Sequence, residues 1–215
     1  MPVPILNAKI EAYLKDLVPL RPEEMARMES YADRIDFPII GPVCGHLCYL
    51  ITCLSKATQV FELGSGFGYS TAWFAMAVKA NGGGIVHHVV RDQKLSNRAR
   101  CHLKALGLEH LVQFHVGEAV EVLRSMPGSF DLIFNDIDKD EYPDALAVIG
   151  KKLELGGILI ADNLLWKGRI FDVADCHPST EGVRELTRRV CLNEAWVASV
   201  IPIRDGLMVA YKNQT

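Results

Sequence analysis

The chain has 215 residues, of which 49% are hydrophobic and 23% are charged, and its formal net charge is −3. This length and balance suit one globular domain with a buried core, and without a basic excess we expect no nucleic acid and no membrane as partner. The N-terminus lacks the basic and apolar regions of a signal peptide, and no apolar run reaches the roughly 18 residues of a transmembrane helix. We therefore expect a single cytoplasmic domain over residues 1–215.

Residues 1–58 predict helices. Asn7 is a suitable N-cap for a first helix, and Pro22, followed by two glutamates, suits the first turn of a second. Residues 42–57 have apolar residues at helical spacing, with Cys44 and Cys48 one turn apart. None of the six cysteines forms a C-x-x-C pair, and a zinc site needs four converging ligands, so we expect buried, reduced thiols.

From residue 59 onward, short apolar runs alternate with amphipathic stretches. The apolar runs predict buried parallel strands at residues 59–63, 84–90, 111–116, 131–136 and 156–162. The amphipathic stretches predict helices at residues 69–80, 93–107, 118–126, 142–154 and 179–194. Gly107 and Gly156 are placed as helix C-caps.

Two C-terminal strands, residues 196–203 and 206–212, predict an antiparallel pair at the edge of the sheet. The whole pattern predicts an α/β fold, with a doubly wound, mostly parallel seven-stranded sheet flanked by helices. In such Rossmann-like sheets, ligands bind at the carboxyl ends of the strands.

A glycine-rich loop, FELGSGFGYS, follows the first strand and opens a helix, so its backbone can approach a ligand closely. The dinucleotide fingerprint would need a glycine where Tyr69 stands. The loop alone leaves two readings open, a tight turn or a ligand cradle. Glu62 favours the ligand, because a buried carboxylate needs a partner.

An acidic cluster, FNDIDKDEYPD, follows the fourth strand and contains Asp136, and Asp162 and Asn163 follow the fifth. Adjacent parallel strands lie about 5 Å apart, so these three oxygen-bearing side chains can converge. Such a set suits Mg²⁺, Mn²⁺ or Ca²⁺. Taken alone the cluster could be solvated surface charge, but the second acidic site one strand away favours a metal.

Three motifs carry a family resemblance over about residues 38–212. ELGSGFGYS resembles the first motif of class I S-adenosylmethionine-dependent methyltransferases, and its G-x-x-x-G-Y-S pattern is similar to that of the cation-dependent O-methyltransferases typified by caffeoyl-CoA and catechol O-methyltransferases. DIDKDEY, residues 136–142, resembles their D-A-D-K-x-x-Y motif. DNLLWKG, residues 162–168, resembles D-N-x-L-W-x-G.

The resemblance implies S-adenosylmethionine as cofactor and a divalent cation, with Mg²⁺ expected first. It implies cofactor contacts from Glu62, Gly64, Ser65, Ser70, Ala119 and Asp138. It implies metal ligation by Asp136, Asp162 and Asn163, and a general base in Lys139. It also implies that residues 1–58 shape the acceptor pocket and contribute to a homodimer.

The implied reaction is methyl transfer to a hydroxyl of a catechol-like aromatic. A metal lowers the pKa of a bound hydroxyl and fixes its position, and Lys139 can accept the proton only in its neutral form. The alternative is that Lys139 is merely a counter-ion to Asp136 and Asp140.

Two positions depart from the family pattern. Val90 stands where an acidic residue usually binds the cofactor ribose, so we expect Asp92, the nearest acid, or ordered water to take that role. Arg204 replaces a glycine in a P-I-G-D-G-like segment and is expected to alter the rim of the substrate pocket. Because Val90 lacks the acid that usually binds the ribose, a protein of this fold that is non-catalytic or uses the cofactor differently stays open as an alternative function. Tyr69 and Val90 count against an NAD(P)-binding oxidoreductase.

Overall fold

The computed structural model describes residues 7–214. Its strands are β1 Gln59–Leu63, β2 Ile85–Val90, β3 Val112–Val116, β4 Phe130–Asn135, β5 Leu153–Ala161, β6 Trp196–Ile201 and β7 Leu207–Lys212. They form one sheet in the order β3-β2-β1-β4-β5-β7-β6. The first five strands pair in parallel, whereas β7 is antiparallel to both β5 and β6. The predicted α/β fold and its antiparallel C-terminal strands are therefore confirmed.

The helices are α1 Ala8–Leu17, α2 Glu23–Ile35, α3 Gly41–Ser55, α4 Tyr69–Ala80, α5 Gln93–Ala105, α6 Ala119–Ser125, α7 Tyr142–Lys152 and α8 Pro178–Cys191. Asn7 caps α1 as predicted, because its side chain accepts a hydrogen bond from the backbone nitrogen of Lys9. None of the helices within residues 7–214 is both long and apolar enough to cross a bilayer.

Helices cover both faces of the sheet, and alternate strand residues point to opposite sides. Val60 packs with Met25 and Phe74 on the face covered by α2, α3 and α4. Its neighbour Phe61 packs with Leu123 on the face covered by α6, α7 and α8. This two-sided burial explains why the parallel strands are apolar throughout.

The adjacent histidines of β2 follow the same alternation. The ring of His87 stacks on Phe61 and His115, with ring centroids 5.8 and 5.3 Å away. His88 points to the opposite face, where its Nδ1 atom lies 3.1 Å from the hydroxyl oxygen of Thr71. Burial lowers the pKa of His87 to about 4 and the pKa of His88 to about 3. Packing and a local hydrogen bond therefore account for this pair.

Two expectations were wrong in part. Gly107 does follow α5 with a left-handed φ of +67°, but Gly156, with a φ of +83°, lies inside β5. The helix before it ends earlier because Leu153 is already extended and pairs with Phe130.

The cysteines are all free, but Cys101, Cys176 and Cys191 are exposed, not buried.

Candidate active site

A cavity of about 640 Å³ opens at the carboxyl ends of β1 and β4, where the strand order reverses. It is the place where a doubly wound sheet binds its ligand. All of the predicted site residues except Glu62 line this cavity, namely Gly64, Ser65, Ser70, Asp92, Ala119, Asp136, Asp138, Lys139, Asp162 and Asn163.

The glycine-rich loop between β1 and α4 is shaped by its protein neighbours as much as by any ligand. Gly64 has a φ of +88°, and a Cβ atom there would lie 2.4 Å from the backbone oxygen of Asp136. A Cβ atom on Gly68 would lie 2.9 Å from the side chain of Ala99 in α5. Both glycines let the turn pack against β4 and α5, which brings the loop and the acidic edge together.

Ser65 ties this loop to β2. Its backbone nitrogen donates to the carbonyl oxygen of Val89 at 2.9 Å, and its hydroxyl accepts from the nitrogen of Val89 at 2.9 Å. Both bonds are made to a strand, so they anchor the loop at the cavity wall.

Glu62 lies behind this wall and does not line the cavity, so its contact with the cofactor stays a prediction. Its side chain is 0% exposed, and its Oε2 atom accepts from the hydroxyl of Thr71 at 2.5 Å. Burial raises the pKa of Glu62 to about 7, although hydrogen bonds from Ser70, Thr71 and Ser65 oppose the shift. Glu62 therefore holds the hydroxyl of Thr71 in the first turn of α4, behind the loop.

Strand β2 ends on the apolar Val90, and the basic Arg91 follows it. Val90 lines the cavity without a polar group, and Asp92 caps α5 by accepting from the nitrogen of Lys94 at 2.7 Å. The guanidinium group of Arg91 lies 2.6 Å from Glu141 and 3.5 Å from Asp138. Glu141 is thus part of a charge cluster at the cavity.

Tyr142 connects the ends of β4 and β5. Its buried hydroxyl lies 3.2 Å from the backbone oxygen of Asn135 and 2.9 Å from that of Asp162. Tyr142 is therefore a core residue, whereas Trp166 lines the cavity and donates to the hydroxyl of Thr180 at 3.1 Å.

Each of the two aspartates at the acidic edge has a cationic neighbour. Lys139 donates to the Oδ1 atom of Asp136 at 2.7 Å and to the carbonyl oxygen of Ile137 at 3.0 Å. Arg204 donates to the Oδ2 atom of Asp162 at 3.2 Å. Burial, and then the charge of Asp136, raise the pKa of the Asp162 carboxyl group.

Asn163 is oriented by Asp205, a residue that the sequence reasoning did not select. The amide nitrogen of Asn163 donates to the Oδ2 atom of Asp205 at 3.3 Å. The Oδ1 atom of Asp205 accepts from the backbone nitrogen of Lys167 at 2.6 Å. With its nitrogen committed in this way, the amide oxygen of Asn163 is available as a ligand. The position of Asp205, next to Arg204 in the turn before β7, is the signal that could have identified it.

Two carboxylates that repel each other and one amide oxygen form a hard oxygen set, which fits a small divalent cation. Asp136 and Asp162 follow neighbouring strands, and both line the same cavity as Asn163. The residues present therefore fit the predicted metal.

Comparison with known proteins decides the family. Residues 23–213 match the family model described as O-methyltransferase. The chain belongs to this O-methyltransferase family. The predicted S-adenosylmethionine-dependent O-methyltransferase is thereby confirmed, and the oxidoreductase alternative is set aside.

Relatives of this O-methyltransferase cover nearly the whole chain. A catechol O-methyltransferase of Niastella koreensis is 27% identical over 212 residues, which cover 94% of this chain and 95% of the relative. The structure of an O-methyltransferase from Streptomyces achromogenes, in complex with SAM and involved in tomaymycin synthesis, superposes with a TM-score of 0.86 at 24% identity over 96% of each chain. A Bacillus cereus O-methyltransferase in complex with SAH gives a TM-score of 0.86 at 22% identity over 95% of this chain and 97% of that one. The two structures share the fold of this chain.

Proposed function

We propose that this O-methyltransferase transfers the methyl group of S-adenosylmethionine to a hydroxyl of a small catechol-like aromatic, with the help of a divalent cation. The observation that carries this proposal is the set of Asp136, Asp162, Asn163 and Lys139 at one edge of the cavity. The same cavity is bordered by the glycine-rich loop, so acceptor and cofactor would meet within it.

The cofactor half of the proposal rests on the cavity wall that is formed by the glycine-rich loop, which lies beside the acidic edge. We assign the methionine portion to Gly64, Ser65 and Ser70, where α4 begins and its dipole is positive. We assign the adenine to Ala119 at the start of α6, as the family resemblance implies. When bound, S-adenosylmethionine supplies an electrophilic methyl group.

We assign the binding of the cofactor ribose to Asp92 and Asp138, because the side chain of Val90 has no polar atom. Both aspartates line the cavity beside Val90 and Arg91. One carboxylate oxygen of Asp92 caps α5, which leaves the other for a hydroxyl group.

The proposed acceptor is inferred from two kinds of surface in the cavity, one apolar and one acidic. Phe37, Ile39 and Trp166 line it with apolar surface that suits an aromatic ring. The acidic edge supplies the oxygen ligands for a cation, Mg²⁺ in the first place and Mn²⁺ or Ca²⁺ as alternatives. When bound, the cation would lower the pKa of a coordinated hydroxyl and fix its position. Lys139, whose Nζ atom lies 2.7 Å from Asp136, is our candidate for the group that takes the proton, which it would do as the neutral amine.

A turnover assay with and without metal tests this function. We expect vicinal dihydroxy aromatics to be methylated, monohydroxy analogues not to be methylated, and turnover to stop in EDTA and return with Mg²⁺. Unchanged turnover in EDTA would contradict the cation, and equal methylation of monohydroxy analogues would contradict the catechol-like acceptor. Asp136→Asn should abolish metal-dependent turnover, whereas Asp140→Asn, an exposed position in the same segment, should not.

We also propose a homodimer that uses the N-terminal helices. Helix α1 buries none of its residues and exposes Ile10, Tyr13 and Leu17 by 49%, 63% and 61%, all at helical spacing. Such a stripe is typical of a helix that packs on a partner. Light scattering should give twice the chain mass, and a monomer for the triple variant with serine at these positions.

A further inference from the structure

Arg204 has a backbone conformation that ordinarily favours glycine. It lies in the turn between β6 and β7 with a φ of +51°. A non-glycine residue in the left-handed region costs free energy, and such residues collect at functional sites. The side chain at this position therefore calls for an explanation.

The side chain of Arg204 enters the cavity and contacts a proposed metal ligand. Its Nη1 atom lies 3.2 Å from the Oδ2 atom of Asp162, a residue separated from it by 42 positions in the chain. The carboxyl side chain is 1% exposed and the arginine side chain 39% exposed. The guanidinium group thus extends from the solvent-exposed rim to a buried carboxylate.

Of the two cations at the acidic edge, Arg204 is the one that is free to leave. Lys139 is held by two hydrogen bonds, to Asp136 and to the carbonyl oxygen of Ile137, and its side chain is only 10% exposed. Within residues 7–214, the guanidinium of Arg204 donates one hydrogen bond, to Asp162. The neighbouring acid, Asp205, is already bonded to Asn163 and to the backbone nitrogen of Lys167.

We propose that Arg204 is a tethered competitor of the divalent cation. The guanidinium group and the cation bind the same carboxylate of Asp162, so the cation enters only when the arginine moves out toward the solvent. This inference rests on the cation site of the proposed function. It adds that the wild-type protein binds the cation more weakly than its oxygen ligands alone would, because a unit positive charge has to leave the carboxylate first.

Direct titration of the metal-free protein with Mn²⁺ tests this, without cofactor, acceptor or turnover. We expect Arg204→Gly to lower the Kd for Mn²⁺ at least tenfold, which corresponds to about 1.4 kcal/mol. Glycine suits the left-handed backbone, so the variant should fold. Arg204→Gln, which removes the charge but keeps a long polar side chain, should lower the Kd in the same direction.

Lys167→Gly is the matched control. Lys167 also lines the cavity, also has a left-handed φ, +52°, and also carries one positive charge. Among the ion pairs of residues 7–214, however, Asp162 is paired with Arg204 and not with Lys167. At about 0.15 M salt, charges are screened over about 8 Å. We therefore expect the Kd of Lys167→Gly for Mn²⁺ to stay within twofold of the wild-type value.

The outcomes separate this inference from the proposed function. Equal Kd values for wild type and Arg204→Gly would overturn the inference and leave the cation site standing. An equal decrease of the Kd for Mn²⁺ in Lys167→Gly would also overturn it, because removing any positive charge near the cavity would then have the same effect. If neither wild type nor Arg204→Gly bound Mn²⁺, both the inference and the cation would be wrong.

Discussion

The buried hydroxyl of Tyr142 lies 2.9 Å from the backbone oxygen of Asp162 and donates a hydrogen bond to it. It also lies 3.2 Å from the backbone oxygen of Asn135, the last residue of β4. One phenol group therefore links the ends of the two strands after which the proposed metal ligands stand.

Tyr142→Phe should lower the free energy of unfolding by about 1–3 kcal/mol, because it leaves the buried backbone oxygen of Asp162 without the hydroxyl donor at 2.9 Å. Urea unfolding followed by circular dichroism measures the change. Tyr211→Phe, at an exposed position of β7, is the control and should change the value by less than about 0.5 kcal/mol. Equal values for Tyr142→Phe and wild type would show that the hydroxyl does not tie the strands together.

Lys139→Ala separates the two roles of this lysine. If Lys139 takes the proton, kcat at saturating Mg²⁺ should fall by about 10²–10⁴, with a smaller change in metal affinity. Lys151→Ala, at an exposed position of α7, should leave kcat unchanged. If metal affinity changes more than kcat, Lys139 is a counter-ion to Asp136, as their 2.7 Å contact also permits.

Asp92→Asn tests how the cofactor ribose is bound. Asparagine caps a helix as well as aspartate does, so α5 should remain intact while the negative charge is lost. A hydrogen bond to a charged acceptor contributes about 1.5–3 kcal/mol, so the Kd for S-adenosylmethionine should rise about tenfold or more. Calorimetric titration measures it, with the exposed Asp144→Asn as control. An unchanged Kd would leave the ribose to Asp138 or to water.

Glu62 should make stability depend on pH. Its pKa is raised from 4.5 to about 7, so the folded protein favours the neutral acid. That contribution is fully present below pH 4.5 and is lost as the pH rises through 7. As the pH rises from 4.5 to above 7, we expect the free energy of unfolding of wild type to fall by up to about 3 kcal/mol relative to that of Glu62→Gln.

Urea unfolding at a series of pH values gives this difference. His87 and His88, whose pKa values are lowered, contribute the opposite slope, but they are present in both proteins and cancel. Glu11→Gln, in the exposed helix α1, should parallel wild type at every pH. Parallel curves for wild type and Glu62→Gln would show that burial does not hold Glu62 neutral.

Much of the site was predictable because its residues follow strands. The alternation of apolar runs predicted the sheet, and the carboxyl ends of its parallel strands meet at one edge. Gly64, Asp136 and Asp162 therefore line one cavity, as expected. The helix after β4 was placed two residues too long, because its end depends on Leu153 pairing with Phe130 at the start of β4.

The sequence by itself determined the order of strands and helices, the family and the residues at the strand ends, since these follow from local periodicity and short motifs. Only the tertiary structure decided that Glu62 lies behind the cavity wall, that Arg91 pairs with Glu141, and that Arg204 reaches Asp162. The physical reason is that ion pairs and burial join residues 42 to 50 positions apart, and no local pattern records which side chains the folded loops bring into contact.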